Sequence, residues 1–103
     1  MSVIMTLRIK GDPGKLEQLA AKDPGSIGSI AEQAKQHGLI AHRFYGSDDE
    51  IMVADEWPDR ESFQRFFESM RSQIEPMFEQ VATGEPQITF WRKLETGDDV
   101  GWE

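Results

Sequence analysis

The stretch of residues 39–70 constrains the fold of this chain most strongly, because two strand-like segments and a helix-like segment follow one another within it. Residues 39–45 are rich in apolar and aromatic side chains, and a Gly-Ser-Asp-Asp turn follows them. Residues 51–57 are apolar again until Pro58, which has no N–H to donate to a sheet. The stretch therefore predicts a β-hairpin that leads directly into a helix.

The helix predicted after the hairpin begins at Asp59, whose carboxylate can accept a hydrogen bond from a backbone N–H of the first turn. Pro76 predicts a kink or a restart near the far end, because proline cannot donate to the preceding turn and clashes with it. Trp57 is expected where sheet and helix meet, a geometry that can enclose a cavity. The apolar side chains recur at the three- and four-residue spacing of a helix with one buried face: Phe63, Phe66, Phe67, Met70, Ile74 and Phe78.

The segments on either side complete a β-α-β-β-α-β order. Residues 3–9 alternate with a period of two and predict a strand with one wholly apolar face. Two Asp-Pro pairs predict a broken helix, with pieces near 12–22 and 24–37, since aspartate caps a helix and proline suits its first position. Residues 87–94 predict the last strand, and residues 95–103 form an acidic tail.

This order predicts an α+β fold of the ferredoxin-like βαββαβ type, with one domain over residues 1–94. Its four-stranded antiparallel sheet carries the helices on one face and leaves the other face uncovered in a single chain. Ile4 and Thr6 of the first strand and Thr89 and Trp91 of the last strand lie on the uncovered face. Exposed apolar groups of this kind are typical of an association surface. We therefore expect a homodimer in which two sheets pack into a barrel.

Composition excludes several classes of partner. Eleven basic residues are outnumbered by nineteen acidic ones, for a net charge of −8, which argues against nucleic acid and against an anionic membrane surface. Apolar runs fall far short of the ~20 residues that span a bilayer, and the N-terminus lacks signal-peptide features. There is no cysteine. His37 and His42 share no zinc-type spacing and have no third ligand, so no metal site is expected, and the cytoplasm is the predicted location.

Three segments carry a family resemblance: the strand pattern of residues 3–9, Gly-Leu-Ile-Ala-His-Arg-Phe at 38–44, and Asp-Glu-Trp-Pro-Asp-Arg-Glu-Ser-Phe at 55–63, which leads to a Phe-Phe pair. Over residues 3–94 the chain resembles the dimeric α+β barrel superfamily and, within it, the antibiotic-biosynthesis-monooxygenase-like group. It is closer still to small, mostly uncharacterised actinobacterial-type members with Gly-Asp-Pro near residue 11. The resemblance implies a dimeric barrel. Members include cofactor-independent monooxygenases of aromatic polyketides, haem-degrading enzymes, isomerases and proteins with no known reaction.

Carried over residue by residue, the resemblance implies that Trp57 is the tryptophan that lines the family's cavity. At the positions of the family's polar partners, however, this chain has apolar residues. The asparagine that oxygenating members place four residues earlier corresponds to Val53, and their tyrosine six residues later corresponds to Phe63. Where the haem-degrading branch carries an axial histidine, this chain has Phe66 and Phe67. The resemblance therefore argues against haem degradation and implies no cofactor. The chain also lacks the polar residues that the oxygenases of this group usually carry.

His42 and Tyr45 are the candidate catalytic residues. His42 can orient a phenolic substrate or act as a base near neutral pH. The alternative is a strand histidine that bonds to a neighbouring carbonyl or to solvent. Asp55 shares a strand face with the cavity tryptophan and can be a buried proton acceptor, although a salt bridge to Arg43 or Arg92 is the prediction we favour for it.

Two functions remain open. In the first, a cavity between sheet and helices binds a small aromatic compound, which reacts with O₂ without a cofactor. In the second, the same pocket holds a small hydrophobic ligand without turnover, or is filled by its own side chains, and the lost polar partners favour this alternative. We predict that part of the Trp57 indole faces a void, the alternative being a wedge in the core. The predicted site comprises His42 and Tyr45 as catalytic residues and Trp57, Phe63, Phe66 and Val53 as substrate-binding residues.

Overall fold

A computed structural model describes residues 2–101, and its elements follow the predicted order. The helical segment between the first two strands is broken into two pieces, as predicted. The strands are β1 (Val3–Lys10), β2 (Ala41–Gly46), β3 (Glu50–Trp57) and β4 (Gln87–Trp91), and the helices are α1 (Pro13–Lys22), α2 (Pro24–Gln36) and α3 (Arg60–Glu79).

The four strands form one antiparallel sheet in the order β2-β3-β1-β4, which is the ferredoxin-like topology. The α+β fold class predicted from the sequence is therefore confirmed. Alternate residues of the two central strands point toward the helices and are buried, and we call this side the inner face. It carries Met5, Leu7 and Ile9 of β1 and Ile51, Val53, Asp55 and Trp57 of β3.

Two of the three predicted aspartate caps are confirmed. Asp12 accepts a hydrogen bond from the Gly14 N–H at 2.9 Å, and Asp59 accepts one from the Ser62 N–H at 2.7 Å. Hydrogen bonding by the Ser62 side chain and backbone N–H also lowers the pKa of Asp59. At the start of α2, by contrast, the Asp23 side chain caps no N–H among the described residues.

Of the kink or restart predicted at Pro76, the restart does not occur, because α3 continues through this residue to Glu79. A proline inside a helix costs about 3 kcal/mol. The two residues that follow it, Met77 and Phe78, are both buried in the core, and burial of such side chains contributes about 1.5–3 kcal/mol each. Core packing therefore outweighs the lost hydrogen bond and holds the last turn in helical form.

The last strand is shorter than predicted and ends at Trp91. Trp91 pairs with Ile4, and β1 itself begins at Val3, so a longer β4 would have almost no strand left to pair with. Residues 92–101 contain no helix or strand, and the last two residues of the predicted acidic tail lie outside the described range. Within the part of the chain that the structure describes, no helix is long and apolar enough to cross a membrane.

The face of the sheet away from the helices, here called the outer face, is uncovered in the single chain. Ile4 and Trp91 are neighbours on it and are 39% and 54% exposed. The Trp91 indole N–H donates to the Thr6 hydroxyl at 2.8 Å, which ties the indole of β4 to the neighbouring strand β1. The predicted apolar outer face is therefore present.

We predict that Gly11→Ala lowers the free energy of unfolding by about 1–3 kcal/mol, the usual cost of overpacking. A Cβ at this position would lie 2.5 Å from the Val81 carbonyl oxygen and 2.9 Å from the Ala82 Cα, both backbone atoms. Gly28→Ala is the matched control, because a Cβ there meets nothing within 4 Å in the interior of α2. It should stabilise the protein by about 0.5–1 kcal/mol. Equal urea midpoints for the two variants would contradict the expected close contact.

Candidate functional site

A cavity of about 70 Å³ lies between the inner face of the sheet and the helices α2 and α3. Of the described residues that line it, all but His42 and Asp55 have apolar side chains. Three of the predicted substrate-binding residues, Val53, Phe63 and Phe66, are in its wall. The predicted pocket between sheet and helices therefore exists, with apolar walls and a polar corner.

The polar corner is a chain of hydrogen bonds between two adjacent strands. The His42 Nδ1 lies 2.7 Å from the Asp55 Oδ1, and the Trp57 Nε1–H donates to the Asp55 Oδ2 at 3.1 Å. The Asp55 side chain is only 6% exposed, whereas that of His42 is 30% exposed. The Trp57 end of this chain of hydrogen bonds is thus buried in the core, and the His42 end is partly open to solvent at the cavity.

The register of the hairpin creates this corner. His42 of β2 stands directly opposite Asp55 of β3, and two residues further along each strand Phe44 stands opposite Val53. Alternation along a strand puts all four of these side chains on the inner face. Asp55 and Trp57 are two residues apart on β3, so the indole N–H can reach the carboxylate of its own strand.

The salt bridge predicted between Asp55 and Arg43 or Arg92 is wrong. Arg43 pairs with Ala54 and therefore points to the outer face, where its guanidinium donates to the Tyr45 hydroxyl at 3.4 Å. Arg92 follows the end of β4 and is exposed. Both carboxylate oxygens of Asp55 instead lie within hydrogen-bond distance of ring nitrogens of the inner face, one from His42 and one from Trp57.

Tyr45 does not share the cavity with His42. The two residues are three positions apart on β2, so their side chains point to opposite faces of the sheet, and Tyr45 is 42% exposed on the outer face. The prediction that either residue could position a ligand oxygen in this cavity is therefore wrong for Tyr45. His42 remains, and its partner is a carboxylate rather than the carbonyl or solvent of the alternative interpretation.

Trp57 also differs from its prediction. Its side chain is fully buried and is not part of the cavity wall. The Phe63 and Phe66 rings of α3 pack against the indole, with centroids 5.7 Å and 5.5 Å away, and these two rings are the ones that line the cavity. The expectation that the indole faces a void is therefore wrong: Trp57 is a core wedge behind the wall.

Sequence reasoning missed the pairing of His42 with Asp55, although a signal for it existed. A tight hairpin closed around residues 48 and 49 puts residue 42 opposite residue 55. Turn chemistry at residues 46–49 indicates the hairpin, whereas the pairing of residue 42 with residue 55 follows once the turn is centred on residues 48 and 49. Histidine and carboxylate then form a unit that neither residue indicates alone: an imidazole whose Nδ1 is engaged by an acid and whose Nε2 is available for a ligand.

Comparison with known proteins identifies the fold only. No protein-family model and no curated protein sequence matches the chain. Among solved structures, the chain is similar to a monooxygenase from the ActVA-Orf6 gene of Streptomyces coelicolor, which was solved in complex with the ligand Nanaomycin D. The two are 14% identical with a TM-score of 0.67, over 92% of this chain and 89% of that chain.

Two further solved structures have the same architecture. A mutant of SnoaB, a cofactor-independent oxygenase from Streptomyces nogalater, is 15% identical with a TM-score of 0.64, over 95% of this chain and 98% of that chain. A dimeric ferredoxin-like protein from an uncultured marine organism is 13% identical with a TM-score of 0.63, over 91% and 89% of the two chains. The chain therefore shares the four-stranded ferredoxin-like α+β fold of these structures.

We expect Trp57→Ala to lower the free energy of unfolding by about 3–5 kcal/mol, because it removes a fully buried indole and leaves one Asp55 oxygen without its donor. A denaturant titration followed by circular dichroism measures the loss. Trp57→Phe separates the two effects, since it keeps an aromatic wedge and removes only the N–H. A loss near 1 kcal/mol for Trp57→Ala would instead indicate an indole that faces empty space.

Proposed function

We propose that this protein binds a small aromatic compound in the cavity and promotes its oxidation by O₂ without a cofactor. The observation that carries the proposal is the His42–Asp55 pair, which provides a general base at the edge of an otherwise apolar cavity. A base that is backed by a carboxylate and a pocket that excludes water are the two things this chemistry needs from a protein.

The reaction starts with proton transfer from a phenolic O–H of the substrate to the His42 Nε2. The resulting aryloxide is rich in electrons and supplies them to O₂ itself. One oxygen atom becomes a new carbonyl at a ring carbon that carried hydrogen, which gives a quinone. The other oxygen atom leaves as water with the two hydrogens that the substrate has lost, so atoms and electrons balance.

The fold supports this proposal at a general level. The solved structures with this architecture include a monooxygenase and a cofactor-independent oxygenase. Their low identity transfers neither substrate nor mechanism to this chain. What the chain itself contributes is the polar corner, at a place where two strands of the same fold meet the helices. The cytoplasmic location predicted from the sequence stays part of this proposal.

The size of the cavity favours a second candidate function. At about 70 Å³ it is well below the ~300–1,000 Å³ of typical small-molecule sites. A cavity of that size takes a compound of one ring at most, unless flexible side chains of the wall move aside. Binding of a small hydrophobic ligand without turnover is therefore the alternative, and O₂ consumption separates the two.

The test is a screen of small phenols by thermal shift and tryptophan fluorescence, followed by measurement of O₂ consumption for each hit. We expect His42→Gln to lower the rate of O₂ consumption by about 10²-fold or more, since general bases contribute ~10²–10⁴. Tyr45→Phe is the control and should keep the parent rate, because Tyr45 lies on the outer face. Binding of a phenol without O₂ consumption would establish the alternative function.

We also propose that the outer face is the interface of a homodimer. Ile4 and Trp91 expose apolar surface where β1 and β4 pair, and the next positions along the central strands on this face hold the uncharged Thr6 and Ala54, although Glu56 stands opposite Ile4. Packing of two such sheets should bury on the order of 2,000 Å² or more, as obligate dimers do.

Light scattering at micromolar concentration should therefore return about twice the 11.7 kDa mass of the chain. Trp91→Arg should shift the mass to that of a monomer, because it places a charge in the exposed apolar surface that Trp91 forms with Ile4. Val100→Arg is the matched control, since Val100 is 86% exposed outside the sheet. A parent protein that scatters as a single chain would refute the homodimer.

A further inference from the structure

We propose that Asp55 and Trp57 are positioning residues that lock His42 in the Nδ1–H form, so that the cavity presents one acceptor, Nε2, and selects phenols. The choice of ligand rests on the proposed function. The state of the imidazole does not, because it follows from the hydrogen bonds alone.

The proton assignment follows from what each group can donate. The indole N–H of Trp57 only donates, so the Asp55 oxygen that faces it must accept. An ionised carboxylate accepts at its other oxygen as well, and that oxygen lies 2.7 Å from the His42 Nδ1. The imidazole must therefore carry a proton on Nδ1. Trp57 fixes this arrangement from the core, since its fully buried ring packs against Phe63 and Phe66.

Among the described residues that line the cavity, only His42 and Asp55 have polar side chains, and the second nitrogen of His42 is the polar side-chain atom left for a ligand. Nε2 has no hydrogen-bond partner within residues 2–101, and the His42 side chain lines the cavity while remaining 30% exposed. Both oxygens of Asp55 are already engaged. A neutral imidazole with a proton on Nδ1 accepts at Nε2.

This geometry favours a ligand that carries a hydroxyl donor on an apolar ring. Phenol and toluene have nearly the same shape but exchange a hydroxyl for a methyl group. In a wholly apolar cavity toluene binds better, because the hydroxyl of phenol loses its hydrogen bonds to water and gains none in the cavity. With an acceptor in place the order reverses, since a site built to bond a hydroxyl discriminates against the analogue without it.

The first experiment measures the tautomer of His42 in the intact protein by long-range ¹H–¹⁵N correlation of labelled histidines, at about pH 8.5, above the ordinary titration range of imidazole. The chain has two histidines, and His37 serves as an internal reference. Its Nδ1 lies 3.0 Å from the Gln33 carbonyl oxygen, which only accepts, so His37 should carry its proton on Nδ1 in every variant. We expect the same pattern for His42 in the parent protein.

Asp55→Asn should reverse the tautomer of His42 alone. The Trp57 N–H requires the amide oxygen on its own side, so the amide NH₂ turns toward the His42 Nδ1, which must then accept. The proton consequently moves to Nε2. Adding Trp57→Phe to Asp55→Asn removes that requirement, so His42 should become a mixture of both forms. A Nε2–H tautomer in the parent protein overturns the proposal, and so does a His42 spectrum that Asp55→Asn leaves unchanged.

The second experiment titrates the parent protein with phenol and with toluene and follows the His42 resonances. We expect phenol to bind at least about fivefold more tightly, the equivalent of one ordinary hydrogen bond. Equal affinity or a preference for toluene overturns the selection of phenols and leaves the tautomer result standing. If neither compound binds, both the proposed function and the proposed class of ligand are refuted. The tautomer measurement still decides whether Asp55 and Trp57 are positioning residues.

Discussion

The register of β3 against its two neighbours is the constraint on which the site depends. Every second residue of this strand is buried, and a slip of one residue would reverse all of its side chains. Glu56 would then enter the core and Asp55 would leave it. The same register puts His42 beside Asp55 and sends Tyr45 to the outer face. The polar corner of the cavity is therefore a product of strand pairing, which is more rigid than a loop.

Burial of the Asp55 carboxylate is tolerated because both of its oxygens are paired. An isolated charge in the core costs several kcal/mol, whereas each hydrogen bond to a charged group returns about 1.5–3 kcal/mol. The two donors differ in mobility: Trp57 is held on all sides by the core, and His42 is partly open to solvent. One end of the chain of hydrogen bonds supplies rigidity and the other supplies access, which is what a preorganised site requires.

Sequence reasoning was most successful where a local pattern decides the structure. Period-two alternation, the Asp-Pro pairs and the hairpin turn were enough for the element order, the sheet topology and the apolar outer face. It failed for the restart at Pro76, where packing of the following residues outweighs a backbone preference. It also failed at Asp55 and Trp57, where the outcome depends on strand register and on rings that α3 contributes. Such contacts join residues distant in sequence, and no local pattern contains them.

The polar side chains that line this cavity come from the sheet. The resemblance implied polar groups at the positions of Val53, Phe63 and Phe66, and all three are apolar walls here. Two of them lie on α3, so this helix contributes packing and closure rather than hydrogen bonds. The hydrogen-bonding groups come from neighbouring strands instead, where His42 and Asp55 face each other directly. A sheet that carries His42 and Asp55, closed by an apolar helix, gives this cavity apolar walls with hydrogen-bonding groups at one corner.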